Sequence, residues 1–400
     1  MTNKELIEKA TITTAALANA GKLNPKQADR FIDFVIDETS MRNVVRVERF
    51  RNEQALIEKI GVGNRVAVPK AEAVDPNLRR GVTTSKITLQ PSEIMVPFEI
   101  GDIFKEHNIE GDKIEERIIQ MMARQLANNL EELYWGGLTN GPAALETDLI
   151  EGGSTTLFVK DSYLALFQGW LALAEGGNVV DAQNATIAQS VFGQAKRAMP
   201  NKFLKNVAAM RWFLSFDHEQ AYREGLSNRG TGLGDAAVNG ADAPRPFGIP
   251  MMPVSLLPSE PQFSEDVVMN TDGTTASQLS FSPITGQVVI NQALGKNPEA
   301  QFVAGAGNDY TVDLANGTIT RLGGGTIGSG ATVKVTYKTG GRMLLTDPKN
   351  LILAIGRDIR IERDRNIFRG ANEFAITVKA QAQIEELTAL TLVKNIAVPS

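Results

Sequence analysis

The sequence contains no cysteine, which excludes disulfides and thiolate zinc sites and removes the usual clue to redox compartment. It has only two histidines, His107 and His218, so histidine-based catalysis has few candidates. No window approaches the length of a transmembrane helix, and the N-terminus, MTNKELIEKATITTAALANAG, lacks the apolar run of a signal peptide. The expected site of synthesis is the cytoplasm, with no membrane partner. Neither sign of charge dominates: 41 Lys and Arg stand against 46 Asp and Glu, a net charge of −5. A dedicated nucleic-acid reader would carry a basic stripe. Also missing are HExxH, a Walker-A sequence and a strand–GxGxxG–helix unit. What is present is ordinary for a folded protein: 42% hydrophobic and 22% charged residues, which supply a sizeable core. The length allows two or three domains.

The most regular stretch is 112–135, DKIEERIIQMMARQLANNLEELYW. Ile114, Ile118, Met121, Met122, Leu126, Leu130 and Leu133 follow the three-or-four spacing of one helical face. Asp112 and Glu115 form a capping-box arrangement. Gly136-Gly137 is expected to end the helix in a left-handed turn, which glycine takes cheaply. At 1.5 Å per residue this helix is about 36 Å long. Such a length suits a strut in a flat, extended subunit; an ordinary long helix on a globular core is the alternative.

Around it the chain changes character several times. Residues 1–23 are a polar arm, and Asn24-Pro25 starts a short helix carrying Phe31, Phe34 and Val35. MRNVVRVERFR alternates as a strand. From 61 to 105, extended runs at Arg65–Val68 and Lys86–Ile100 flank a polar tip, which reads as a long two-stranded β-arm with Pro91 and Pro97 marking its edges. A long hairpin needs packing partners, so this arm is expected to lie on a neighbouring subunit. Residues 155–260 mix helix and strand signals. SYLALFQGWLALAEGG and ATIAQSVFGQAKRAM read as helices, AAMRWFLSF as a buried strand, and DHEQAYREGL as a helix capped by Asp217. From 263 to 340 the helical pattern disappears. Short strand candidates, from DVVMN to ATVKVTYK, are separated by turn signals such as Asp272-Gly273 and Asn316-Gly317, the sign of a separate, inserted all-β sandwich. Its ends, near Pro261 and Gly340-Gly341, should lie together. Strands return after it at Leu351–Ile355, at NEFAITVKAQAQIEE and at LTLVKNI.

Sites of chemistry are few. Asp217-His218-Glu219 is the densest polar trio, read as a helix start with a solvated face rather than an acid–base site. His107 reads as a loop residue. GTGLG at 230–234 lacks a preceding strand, so it is not a phosphate cradle. The pairs Glu115-Glu116 and Glu131-Glu132 are placed on an outer helix face. No catalytic, cofactor or metal residue is assigned. The notable feature is a run of mixed charge, Arg357, Asp358, Arg360, Glu362, Arg363, Asp364, Arg365 and Arg369. Mixed signs argue against a nucleic-acid patch. They suit a subunit interface, where Arg–carboxylate forks give geometric specificity. Arg79 and Arg80, at the tip of the β-arm, join these interface candidates.

The order of parts resembles a tailed-bacteriophage major capsid protein of the Hong-Kong-97-type fold, an α+β architecture. NPKQADRFIDFVIDET, the arm plus helix from Gly61 to Trp135, and DPKNLILAIGRDIRIERDR carry the resemblance. NDYTVDLANGTITRLGGGTI and ATVKVTYK resemble the Ig-like modules of phage structural proteins. The resemblance implies an N-terminal arm (1–60), an E-loop (61–105), a spine helix with the first part of a P-domain (106–158), an A-domain (159–262), the inserted Ig-like sandwich (263–340) and returning strands of the A- and P-domains (341–400). It implies a non-enzymatic subunit that assembles as hexamers and pentamers into an icosahedral head enclosing double-stranded DNA, located in the virion and assembled in the host cytoplasm. The implied partners are further copies of the chain, a separate scaffolding protein, a portal and decoration proteins. Some family members join an E-loop lysine to an asparagine; Lys70 or Lys86 with Asn366 or Asn372 are the residues to consider, and no spacing supports the match. An encapsulin-like compartment shell, or a carbohydrate-binding or carbohydrate-active protein with a β-sandwich, are the alternatives. The last would need two carboxylates at a defined separation, and no pair stands out.

Overall fold

The computed structural model describes residues 11–12, 41, 44–50, 54–61, 83–107, 113–139, 141, 143–146, 157–228, 244–292 and 302–399. They form a mixed α+β chain in two compact units. The first takes 47–122 and 353–385 together with 11–12; the second takes 123–352 and 386–400 together with 41–46. The short helix expected after Asn24-Pro25, the extended run Arg65–Val68, and Arg79 and Arg80 lie outside the described residues.

The first unit is built on a five-stranded sheet in the order Thr11–Ile12, Ser92–Gly101, Ala371–Ile384, Leu351–Asn366 and Arg46–Arg49. Ser92–Gly101 and Ala371–Ile384 pair antiparallel from Ser92↔Ala380 to Gly101↔Ala371. The alternation read from the sequence holds here. Phe374, Ile376, Val378, Ala380 and Ala382 are all buried, because successive strand side chains point to opposite faces. Phe98 sits opposite Phe374 and the rings stack with centroids 5.0 Å apart. The two-stranded arm differs from expectation. Its described strands are Ala55–Gly61 and Thr83–Leu89, paired from Ala55↔Leu89 to Gly61↔Thr83, so pairing begins ahead of position 61. Pro91, which has no N–H for a ladder, falls in the break between this arm and Ser92–Gly101.

The long helix runs Lys113–Gly136. It buries Ile114, Ile118, Leu126, Leu130, Leu133 and Trp135, while Met121 is exposed. Its end is not the left-handed turn expected of two glycines, since neither Gly136 nor Gly137 has a positive φ. Close approach explains the glycine instead. Gly169 N donates to Gly137 O at 2.7 Å, and a Cβ on Gly137 would lie 2.6 Å from both Leu133 O and Phe167 O.

The second unit holds another five-stranded sheet, ordered Met251–Val254, Arg211–Ser215, Gly341–Thr346, Leu390–Ile396 and Asn178–Asp181. The helices Gln189–Ala198 and Phe216–Ser227 join it around one core that includes Phe192, Trp212, Tyr222, Met343 and Val393. Phe192 meets Trp212 and Tyr222 edge-on, at 5.0 and 4.9 Å. Residues 162–177 are not the single helix their periodicity suggests. Asp161 Oδ1 accepts from Tyr163 N at 2.8 Å and holds a turn, so the helix is confined to Trp170–Ala174. Its N-cap Gly169 cannot carry a side chain, because a Cβ there would lie 2.8 Å from Tyr134 O.

Within this unit, residues 262–338 form two three-stranded sheets. One is Gln262–Val268, Thr332–Lys338 and Val289–Gln292; the other is Ser277–Gln278, Thr318–Arg321 and Tyr310–Asp313. They share a core of Phe263, Val267, Leu279, Ile290, Tyr310, Ile319, Val335 and Tyr337. Residues 302–305, within the run of short strand candidates, form no named strand and contribute a bridge, Ala304↔Tyr310. The two ends of the stretch meet where Thr339 N donates to Pro261 O at 3.0 Å.

Candidate functional site

The charged run is one arm of a long hairpin, Leu351–Asn366 turning into Ala371–Ile384. It starts apolar, with Leu351 to Ile355 buried, and becomes charged toward the turn. The turn, Ile367 to Gly370, is closed by Gly370 at φ +59, a conformation glycine adopts without the Cβ penalty.

Several of the candidate interface residues are already engaged within the chain. Arg363 Nη1 lies 2.8 Å from Glu115 Oε1, and its guanidinium sits 5.8 Å from the Phe374 ring. Arg365 reaches Asp102 Oδ2 at 3.2 Å. Arg369 reaches Glu99 Oε2 at 3.3 Å. Arg360 and Glu362 pair with each other at 2.9 Å on an open surface, their side chains 60% and 52% exposed. Asp364 Oδ1 accepts from the backbone N of Arg365 at 2.7 Å. The hairpin therefore brings together Arg360, Glu362, Arg363, Asp364 and Arg365. The side chains of Arg357 and Asp358, and the residues Arg79 and Arg80, lie outside the described set. Exposed pairs of this kind contribute about 0–1 kcal/mol each to stability. Their value is geometric: they fix the hairpin against Ser92–Gly101 and the following helix Asp102–His107.

One face of this sheet is an open groove of about 1260 Å³. Met95, 57% exposed, Pro97 and Ala375 give it an apolar floor, and Glu362, Asp364 and Glu373 with Arg360, Arg363 and Arg369 a rim of both signs. Asn366 Nδ2 donates to Glu373 Oε1 at 2.9 Å on the same surface. At the turn, Ile367 is 80% exposed and Phe368 102%. Sequence reading passed over these two residues. The available signal was an apolar pair in NIFRG, where polar residues normally fill a turn.

The polar trio at 217–219 does begin a helix and Asp217 is exposed, but His218 corrects the reading of a solvated face. His218 is fully buried, with Nδ1 2.6 Å from Ser215 Oγ, and burial pulls its pKa below the usual histidine value. Ser215, not Asp217, caps the helix by accepting from His218 N. His218 is also packed against the chain at Gly341, where a Cβ would lie 2.1 Å from its Cε1. A ring with no exposure has no route to a substrate. His107 closes the helix Asp102–His107 rather than lying in a loop. The acidic pairs on the long helix are not all on an outer face either: Glu131 is 5% exposed, and burial raises its pKa. GTGLG lies outside the described residues. Among the described residues no cluster of three His, Asp or Glu is arranged to hold a metal ion, and no helix is long and apolar enough to cross a membrane.

A second cavity, about 540 Å³, adjoins the two-sheet stretch and is lined by Trp135, Asp161, Asp217, Phe263 and Arg342 among others. Arg342 is nearly buried and pairs with Glu175 at 3.1 Å. Its guanidinium lies 5.4 and 5.0 Å from the rings of Phe263 and Phe281. It ties the strand Gly341–Thr346 to the adjoining stretch.

No family model matches the sequence. A curated relative, YqbE of Bacillus subtilis (strain 168), assigned as a prophage capsid protein, is 26% identical over 398 residues, 99% of each chain. Among solved structures, the capsid of a native GTA particle matches 96% of this chain and 100% of its own, with 13% identity and a TM-score of 0.51. The capsid of the empty GTA particle matches 90% and 97%, with 11% identity and a TM-score of 0.49. The chain is thus similar in sequence to a prophage capsid protein and shares its fold with a capsid subunit, in agreement with the resemblance read from the sequence.

Proposed function

We propose that this chain is the major capsid protein of a tailed phage or prophage, a structural subunit rather than an enzyme. Copies of it associate as hexamers and pentamers and close into an icosahedral head around double-stranded DNA, so that the protein resides in the virion. The observation that carries this reading is the similarity to a prophage capsid protein along 99% of both chains. A shared local module would match only in part. The capsid-type fold and the mixed-charge hairpin agree with a surface made for contact between copies. Mixed signs set register and partner choice through complementary pairs, and packaged DNA needs only sequence-independent neutralisation of its phosphates. In this reading a separate scaffolding protein directs closure, a portal occupies one vertex, and decoration proteins bind outside. Residues 263–340 are an Ig-like module displayed on the outer surface, and the β-arm around 61–105 lies on neighbouring subunits.

Electron microscopy of the purified protein, expressed alone and with its scaffold, tests the reading. Closed shells of uniform diameter are expected. Small particles only, at every concentration and with the scaffold present, would refute it. Replacing 263–340 with a short Gly-Ser linker should leave shell diameter unchanged and remove outer protrusions.

A further inference from the structure

The hairpin turn presents two large apolar side chains to water. Ile367 is 80% exposed and Phe368 102%. The turn is not free to fold them away. Asp102 N donates to Gly370 O at 2.8 Å. Arg369 is held twice, through its backbone N on Asn366 Oδ1 at 3.3 Å and through Glu99 at 3.3 Å. Arg365 holds the other side through Asp102. These ties fix the backbone on both sides of Phe368 and leave its ring outside. On the same sheet, the groove floor of Met95, Pro97 and Ala375 is an apolar surface left open among the described residues.

The knob stands at the end of the groove, whose walls include Asn366 and Arg369 at the base of the turn and whose floor is shared between the hairpin and the strand Ser92–Gly101. The knob therefore cannot reach its own groove. From this geometry we infer that Ile367 and Phe368 of one copy of this chain seat on the Met95–Pro97–Ala375 floor of a second copy. The rim chemistry suits a second copy of the hairpin as occupant. The groove is lined by both signs, carboxylates at Glu99, Glu362, Asp364 and Glu373 and guanidinium groups at Arg360, Arg363 and Arg369, and a second copy of the hairpin brings the same mixed set, which complementary pairs can match. An aromatic side chain brings roughly 150–250 Å² to such a contact. The whole contact is then well below the roughly 1,200 Å² of a stable standard-sized interface. It forms only where other contacts already hold copies together. The inference rests on the reading of the chain as a shell subunit, and it names the partner of that same surface.

The absence of cysteine makes a direct test available. Phe368→Cys and Met95→Cys subunits are purified separately, mixed, assembled and oxidised. A disulfide-linked dimer is expected only when both variants are present in shells, with none between Phe368→Cys and Leu56→Cys subunits. Shells without the 368–95 link, or a 368–368 link in its place, overturn the inference while leaving the capsid reading intact. Failure of the wild-type chain to form shells overturns the capsid reading itself. If the cysteine variants do not assemble, Phe368→Leu and Phe368→Ser decide. Phe368→Leu is expected to form shells near the wild-type concentration. Phe368→Ser should need roughly tenfold or more subunit, with an unchanged melting temperature. Equal assembly by the two variants overturns the inference.

Discussion

Gly341→Ala inserts one methyl group at the junction where the chain leaves the two-sheet stretch. The new Cβ would lie 2.1 Å from His218 Cε1, 2.4 Å from His218 Nε2 and 2.9 Å from Ser259 O. Carbon atoms in contact prefer about 3.5–4.0 Å, so roughly 1.5 Å must be found. Ser259 O is backbone and yields little. The His218 ring is buried on every side and held through Ser215, so moving it gives up that hydrogen bond, about 1 kcal/mol. Overpacking a filled site costs a further ~1–3 kcal/mol. The expected loss is about 2–4 kcal/mol. Trp135, Trp170 and Trp212 are fully buried and all lie in the second unit, so their fluorescence in a urea titration reports this unit directly. With a slope of about 2–3 kcal/mol per M, the midpoint should fall by roughly 1 M. Combining Gly341→Ala with His218→Ala should cost less than the sum of the two, because the smaller side chain makes room. An unchanged midpoint for Gly341→Ala, or full additivity in the pair, would refute the packing argument.

Three further outcomes follow from described geometry. Burial lowers the His218 pKa, so the unfolded chain takes up a proton before the folded one does. The stability tied to neutral His218 is complete above about pH 6.5 and is lost as pH falls toward the depressed folded value; melting temperatures from pH 7.5 to 5 should drop, and His218→Asn should flatten that slope. Asp309 accepts from Val303 N at 2.8 Å, Thr326 N at 2.6 Å and Thr326 Oγ1 at 2.7 Å, bonds that hold its carboxyl below the usual range; Asp309→Ala should destabilise the two-sheet stretch by about 2 kcal/mol, visible as faster proteolysis within 262–338. Arg360→Glu disturbs only an exposed pair, so the melting temperature should stay within about 1 °C while shell yield falls; shells at the wild-type level at physiological salt would assign Arg360 to a solvated face.

Local patterning was legible and long-range meeting was not. Phe374 to Ala382 could be placed from alternation because a half-covered sheet enforces a two-residue period. The apolar stripe of the long helix was legible for the same kind of reason. Its ending was not, because Gly137 is selected by contact with Gly169 and Phe167 rather than by its own dihedral preference. The cap at Ser215 was missed in favour of Asp217, although both residue types cap well; the strand Arg211–Ser215 runs straight into the helix and settles the choice. The charged run was visible as a run, but its intrachain partners Glu99, Asp102 and Glu115 are more than two hundred residues away in sequence. No local rule connects them. Ile367 and Phe368 were the reverse case, a local anomaly in plain view whose meaning needed the fold.

The strands Thr332–Lys338 and Gly341–Thr346 follow one another with only Thr339 and Gly340 between them. The first is the middle strand of its three-stranded sheet and the second the middle strand of its five-stranded sheet. Tension applied to residues 262–338 therefore enters the second sheet along its central strand, flanked by Arg211–Ser215 on one side and Leu390–Ile396 on the other. Ladder hydrogen bonds run across a strand, so a pull along it loads both rows together in shear rather than opening them one at a time. At this junction, then, a pull along the strand meets a ladder loaded in shear.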